Sequence, residues 1–244
     1  MRLSGATVLV TGAARGLGNE FVQAALDRGA AKVYAASRAP LEVEGDAVVP
    51  VRLDITDPDA VAKAALRCDD VTVLVNNAGV MHGRPVLAAP DIEAARAEME
   101  TNYFGTLAMC RAFAPVLAKN GGGAIVNMLS VVSWYAAPFN GSYCASKSAE
   151  WALTNAVRTE LRAQGTLVVG VYAGFIDTDM ASAVPGAKIS PQDVAAQSFD
   201  GVERGAEEVL VDDHTRRTKA SLPEDLTAIY PRLQAMWDAG DWSS

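Results

Sequence analysis

ATVLVTGAARGLG, residues 6–18, is a Val-rich apolar run that breaks into glycines and leads into a helix-forming stretch. A nearly continuous apolar run of this length suits a strand buried on both faces of a parallel sheet. Gly12, Gly16 and Gly18 permit a tight turn, close approach of backbone to a phosphate, and close helix–sheet contact. The following helix offers free N–H groups and a positive dipole end to a pyrophosphate. A glycine-rich turn alone is a weak signal, but one lying between a strand and a helix at the head of an α/β pattern is much stronger.

That pattern continues along the chain. Further Val-rich runs occupy 31–37, 47–54, 71–79, 123–130, 166–174 and 208–213, and helical stretches lie at 17–28, 57–67, 90–118, 144–164 and 191–204. Repeated strand–helix units predict a doubly wound, Rossmann-like α/β fold of about seven parallel strands, with helices on both faces. Pro58, Pro90 and Pro191 sit near helix starts, and Pro115 is expected to kink or end the 90–118 stretch. With no linker or repeat, residues 1–244 read as one domain, and residues 214–244 form a tail carrying a helix that packs on the sheet or on a neighbouring subunit.

Composition excludes several classes. The 244 residues are 50% hydrophobic, and 21 basic residues face 29 acidic ones, a net charge of −8. A net anionic surface argues against nucleic acid or an anionic membrane as partner. No apolar run is long enough to span a membrane. The N-terminus reads as the start of the fold and not as a signal peptide. Cys68, Cys110 and Cys144 are few and scattered, and His82 and His214 lie far apart, so neither a disulfide framework nor a metal site is expected. A reducing, cytoplasmic compartment follows. Cys110 and Cys144 read as small buried hydrophobes.

A second motif carries chemistry. In SYCASK, residues 142–147, Tyr143 and Lys147 are one helical turn apart and share a face. A free tyrosine, with a pKa of about 10, exchanges its proton poorly at neutral pH, and a nearby ammonium lowers that value. Ser130, thirteen residues before Tyr143, ends a strand and can donate to an oxygen on which charge develops. Ser142 reads as a helix N-cap.

The spacing Gly-x-x-x-Gly-x-Gly at 12–18, NNAG at 76–79, TNYFG with Asn102, Ser130, Tyr143, Lys147 and AGFIDTDM at 173–180 occur in one order along nearly the whole chain. In this the sequence resembles the short-chain dehydrogenase/reductase family. The resemblance implies hydride transfer between a nicotinamide dinucleotide and a carbonyl or alcohol, with Tyr143 as acid/base, Ser130 and Lys147 beside it, and Asn102 anchoring a water that links Lys147 to solvent. It also implies that Lys147 holds the nicotinamide ribose, that Thr178 and the Ile176 backbone hold the carboxamide, that Asp54 and Ile55 flank the adenine, and that Asn77, Ala78 and Gly79 line the adenine ribose. Gly12, Arg15, Gly16, Leu17 and Gly18 form the phosphate turn. Ser37 and Arg38 stand where NAD-preferring members carry an acid. Two cations, Arg38 and Arg15, with no acid at that corner favour NADP(H).

The chain departs from the family where Ala173 replaces a proline, which should loosen the turn slightly, and where only residues 179–190 separate Thr178 from the next helix. A short lid implies an open pocket. Met81, Trp134, Tyr135, Phe139 and Met180 are expected to wall it and to suit a hydrophobic ketone or aldehyde, with His82 at its edge. A thioester or imine reductase, and a non-catalytic NADP(H) sensor, stay as alternatives. By resemblance, helices 90–118 and 144–164 pair across a dimer axis, giving a homodimer or homotetramer.

Overall fold

The computed structural model describes residues 1–41, 45–182 and 186–240. Seven strands form one sheet in the order β3-β2-β1-β4-β5-β6-β7, all pairs parallel. They are β1 Thr7–Thr11, β2 Lys32–Ser37, β3 Val48–Arg52, β4 Val73–Asn76, β5 Ala124–Met128, β6 Leu167–Tyr172 and β7 Glu208–Leu210, each inside one of the Val-rich runs. The helices are α1 Gly16–Asp27, α2 Pro58–Arg67, α3 Glu93–Glu98, α4 Thr106–Lys119, α5 Gly141–Leu161, α6 Pro191–Arg204, α7 Asp213–Ser221, α8 Asp225–Ala228 and α9 Tyr230–Ala239. α2 and α6 each start on a proline, behind Asp57 and Ser190, whose side chains accept from first-turn N–H groups.

The buried strands still divide their residues between two faces. Val8, Val10, Val73, Val75 and Val126 pack with Phe21 of α1 and Phe199 of α6, whose rings meet edge-on at 5.5 Å. Leu9, Leu74 and Ile125 face the other way, onto Val61, Met109, Phe113 and Leu153 of α2, α4 and α5. A run apolar at both parities is thus what two helical layers demand.

Pro115 does not end the helix, for α4 runs through it to Lys119. The proline's missing N–H would have met the Arg111 carbonyl, and both residues lie on the exposed side of the helix. The irregularity lies earlier, in a π-helical turn at Met99–Gly105, which joins α3 to α4. It inserts Asn102, wholly buried, beneath the sheet edge. Gly105 ends that turn because a Cβ there would lie 2.7 Å from Ile55.

The tail folds back over the carboxyl edge of the sheet. Asp212 accepts from Gly174 N at 2.8 Å and from Thr215 N at 2.6 Å, so one carboxylate caps α7 and pins the loop after β6. Leu233 of α9 packs with Ala137 and Cys144, joined by Val132, Tyr135, Phe139, Ile229 and Met236. Among the described residues no helix is long and apolar enough to cross a membrane, and no group of His, Cys, Asp and Glu could hold a metal ion.

Candidate active site

The strand order reverses between β1 and β4, and the crevice opens at their carboxyl ends. Thr11 bolts the two together: its Oγ1 donates to Val75 O and accepts from Asn77 N at 3.0 Å and Ala78 N at 3.1 Å. Asn77 returns the link by donating through Nδ2 to Thr11 O at 3.0 Å. Gly12 and Gly16 are left-handed, with φ of 68° and 52°. A Cβ on Gly18 would sit 2.0 Å from Gly12 O, so only hydrogen fits there. No side chain caps the start of α1 and no acid occupies its first turn, which leaves its N–H groups facing the crevice.

A cavity of about 1240 Å³ runs from this turn along the sheet edge. Gly12, Arg15, Gly16, Leu17, Gly18, Ser37, Arg38, Asp54, Ile55, Asn77, Ala78, Gly79, Ile176 and Thr178 all line it. At the β2–β3 corner the Ser37 hydroxyl is committed to Ala39 O at 2.9 Å. Burial pushes the Asp54 carboxyl up, but hydrogen bonds from the Thr56 backbone and hydroxyl, with the Arg38 charge, outweigh it and hold the group below its ordinary value. Arg15 does not join Arg38: it reaches Asp179 at 2.9 Å, both side chains 79% exposed. That pair bridges the cleft beside the Gly16–Thr178 contact, and an exposed pair of this kind opens at little cost.

Four further groups converge at the other end. Asn102 Oδ1 accepts from Val80 N at 2.8 Å, and its Nδ2 donates to Val80 O and Ser146 Oγ, both at 2.9 Å. A Cβ on Gly79 would lie 3.1 Å from Asn102 Oδ1 and 3.8 Å from Lys147 Nζ, which is why NNAG ends in glycine. Ser130 Oγ accepts from Val132 N, leaving its own O–H free to donate. Lys147 Nζ lies 5.9 Å from the Tyr143 ring centroid and donates to Met128 O at 2.8 Å and Glu150 Oε2 at 2.7 Å. Desolvation pushes the Tyr143 hydroxyl above its ordinary value. Lys147 and Ser130 pull it down, Glu150 and Cys144 add to the rise, and the net shift is upward.

The family model for short chain dehydrogenases matches residues 6–188. The chain belongs to the short chain dehydrogenase family. It is 45% identical to a short chain dehydrogenase from Burkholderia cenocepacia solved in complex with NADP, at a TM-score of 0.92 over 96% of this chain and 99% of that one. It is 32% identical over 224 residues to the short chain dehydrogenase mpl6 of Monascus purpureus (84% of this chain, 75% of the relative). It is 30% identical over 243 residues to a sorbitol dehydrogenase of Cereibacter sphaeroides (94% and 90%).

Within this short chain dehydrogenase fold, several expectations need correction. Trp134 does not wall the cavity. It follows the short turn Val131–Ser133 and stacks on Tyr172 of β6, centroids 4.4 Å apart, with the Lys219 ammonium beside both rings, 5.4 Å from one and 5.9 Å from the other. Its neighbour Tyr135 faces the cavity, as do Met81, His82, Phe139 and Met180. Ser142 is not the N-cap: the turn Pro138–Asn140 feeds directly into α5, so the helix starts at Gly141 with Asn140 before it. Ala173 does not leave its turn loose, because its carbonyl accepts from Val131 N at 2.9 Å and Asp212 holds Gly174 N. The tail, which the sequence did not tie to the pocket, adds His214, Arg217, Ile229, Arg232, Leu233 and Met236 to its lining. Of the lid segment, residues 183–185 lie outside the described residues. Burial pushes the Cys144 thiol up to about 11 and Cys110 up to about 12, in keeping with inert packing.

Sequence reasoning missed Glu150. It is 1% exposed at its side chain, pairs with Lys147 and accepts from Thr106 Oγ1 at 3.3 Å. A network behind it runs from Asn76 to Asn127 to Thr154, each link 2.9 Å, and Thr154 Oγ1 donates to Glu150 O at 2.8 Å. Burial pushes the Lys147 ammonium down, but the Glu150 charge, the Tyr143 charge and the Glu150 hydrogen bond outweigh it, so the net shift is upward and Lys147 stays a cation.

Proposed function

We propose that this short chain dehydrogenase is an NADP(H)-dependent oxidoreductase that interconverts a carbonyl and an alcohol, with Tyr143 as acid and base. The observation that carries the reading is Tyr143 on the wall of the glycine-turn cavity, beside the Ser130 side chain and one turn from a buried lysine. The Cβ-free cradle at Gly12 and Gly18 fits a pyrophosphate, and Arg38 fits a 2′-phosphate. The Burkholderia relative holds NADP, and the name of the Cereibacter relative describes an alcohol oxidation.

NADPH, when bound, supplies the hydride. Ser130 O–H donates to the substrate oxygen as negative charge develops there. Tyr143 delivers the proton, and Lys147 steadies the phenolate left behind. Asn102 holds the Val80 backbone and Ser146, fixing the floor beneath Lys147. Because the Tyr143 shift is upward, the phenol stays protonated through neutral pH, the state a reductase needs. Met81, Tyr135, Phe139 and Met180 offer the substrate an apolar body site. The test is NADPH absorbance with a panel of hydrophobic ketones and aldehydes: turnover is expected, and a chain that binds NADPH yet reduces none of them contradicts the reading.

Arg38→Ala is expected to lower kcat/KM with NADPH by about ten- to a hundredfold, through loss of a charge-assisted contact, and to change NADH little. Parallel kinetics with the two cofactors check this, and equal losses with both would remove Arg38 from phosphate recognition. The chain is further expected to form a homodimer or homotetramer through its long central helices, where Phe104 and Trp151 are exposed at 49% and 39%. Light scattering at micromolar concentration decides this, a monomer mass being the contrary result.

A further inference from the structure

The reactive end of the cavity has a wall that neither the glycine turn nor the SYCASK motif explains. α7 and α9 bring His214, Arg217 and Arg232 to it, with Leu233 and Met236. His214 fixes the location. A Cβ on Gly174 would lie 3.2 Å from His214 Cδ2, and Gly174 follows Ala173, whose carbonyl accepts from Val131 N, the residue after Ser130. Burial pushes the His214 imidazole down, Asp212 opposes this, and Arg232 and Arg217 both push it further down. Both guanidinium charges therefore act on this spot, and Arg232 also acts on Tyr135.

The neighbouring cations of α7 already have partners. Arg216 binds Asp213 at 2.7 Å and Leu210 O at 2.6 Å, and Lys219 is paired with Glu208. Arg217 and Arg232 make no side-chain hydrogen bond or ion pair among the described residues. The acids on the cavity wall are Asp54, held by Thr56 at the β3 end, and Asp179, held by Arg15. Two arginines can serve as solvated surface charge whose stems cover apolar neighbours. Against that, Asp213, which feels the Arg217 charge, is already bound by Arg216, and neither Arg217 nor Arg232 has an ion-pair partner on the cavity wall. Tyr135, Phe139 and Leu233, which pack together, give the same cavity apolar lining.

We propose that Arg217 and Arg232 receive an oxyanion group of the substrate, carboxylate or phosphate, carried on an apolar body whose carbonyl lies at Tyr143. This rests on the carbonyl-reductase reading above and narrows its substrate class. The planar guanidinium fork matches either anion bidentately, and apolar surroundings strengthen the pair relative to open water.

The experiment follows NADPH consumption by the full chain with matched substrates: an aryl oxo acid, its methyl ester, and a phosphate ester of the corresponding hydroxy ketone. One of the anionic substrates is expected to exceed the methyl ester in kcat/KM by about tenfold or more, chiefly through KM. Which one does so distinguishes carboxylate from phosphate. Arg217→Gln and Arg232→Gln are each expected to reduce that anion-to-ester ratio by about tenfold, and the double variant to abolish it. An ester reduced as well as both anions overturns the assignment alone. So does a variant that lowers acid and ester equally, or one that weakens NADPH binding as much as substrate, which would give the arginines to the cofactor. Tight NADPH binding with no reduction of any of the three overturns the carbonyl-reductase reading, and this inference with it.

Discussion

Tyr143→Phe is expected to lower carbonyl reduction by about 10²- to 10⁴-fold, the contribution of a positioned proton donor, while NADPH still binds. The substitution removes one oxygen and keeps the ring against Lys147, so the fold has little reason to change. The pH dependence of the unsubstituted chain gives the sign. Desolvation raises Tyr143, Lys147 and Ser130 lower it, and the net direction is up. Reduction needs the protonated phenol, so kcat/KM for reduction is expected to stay level through neutral pH and to fall only above the ordinary tyrosine range. Oxidation needs the phenolate and is expected to climb with pH across the same range. Steady-state rates in both directions over buffers of constant ionic strength check this. A reduction rate that falls between neutrality and the onset of that alkaline limb would assign the proton to another group.

Lys147→Met is expected to cost both activity and stability. The methionine matches the stem but leaves Glu150, 1% exposed, without its ammonium. Breaking a buried pair from one side costs about 3–5 kcal/mol, and for a chain of this size that lowers Tm by about 10 °C. The double variant Lys147→Met/Glu150→Leu is expected to recover most of that loss, because an apolar replacement of both partners is often neutral. It should recover none of the activity, since Tyr143 still lacks its cation. Calorimetry and the NADPH assay on the two variants separate the roles. A single variant that melts like the unsubstituted chain would mean Lys147 and Glu150 are not a buried pair in solution. Glu150→Gln adds a finer check. Glu150 raises Tyr143, so neutralising it is expected to move the alkaline rise of oxidation to lower pH.

The seven strands were legible because each is apolar at both parities, as a sheet covered on two sides requires. The Tyr143–Lys147 pair was legible because helical spacing alone sets it. Glu150 was not, because a Lys and Glu three residues apart read as a solvated pair. What buries them is tertiary: Thr106 on α4 and the Met128 carbonyl at the end of β5. The misplacement of Trp134 has the same root, since adjacent aromatics after a short turn must diverge, and only the packing of β6 says which one faces inward. Arg217 and Arg232 lie more than seventy residues from Tyr143 in a polar tail, so no local pattern ties them to the site. Pro115 does not end α4, because a helix interrupted on its exposed side loses one hydrogen bond and can continue.

The most direct measurement is deuterium transfer from NADPH carrying deuterium at both C4 positions of the nicotinamide, so that either face delivers label, to the carbinol carbon of the product, read by mass spectrometry. With a hydrophobic ketone, the unsubstituted chain is expected to give product carrying one deuterium, and Tyr143→Phe to give almost none while binding NADPH. Product formed without label, or formed equally by the two chains, would contradict the assignment of Tyr143 as the proton donor in a hydride transfer to a carbonyl.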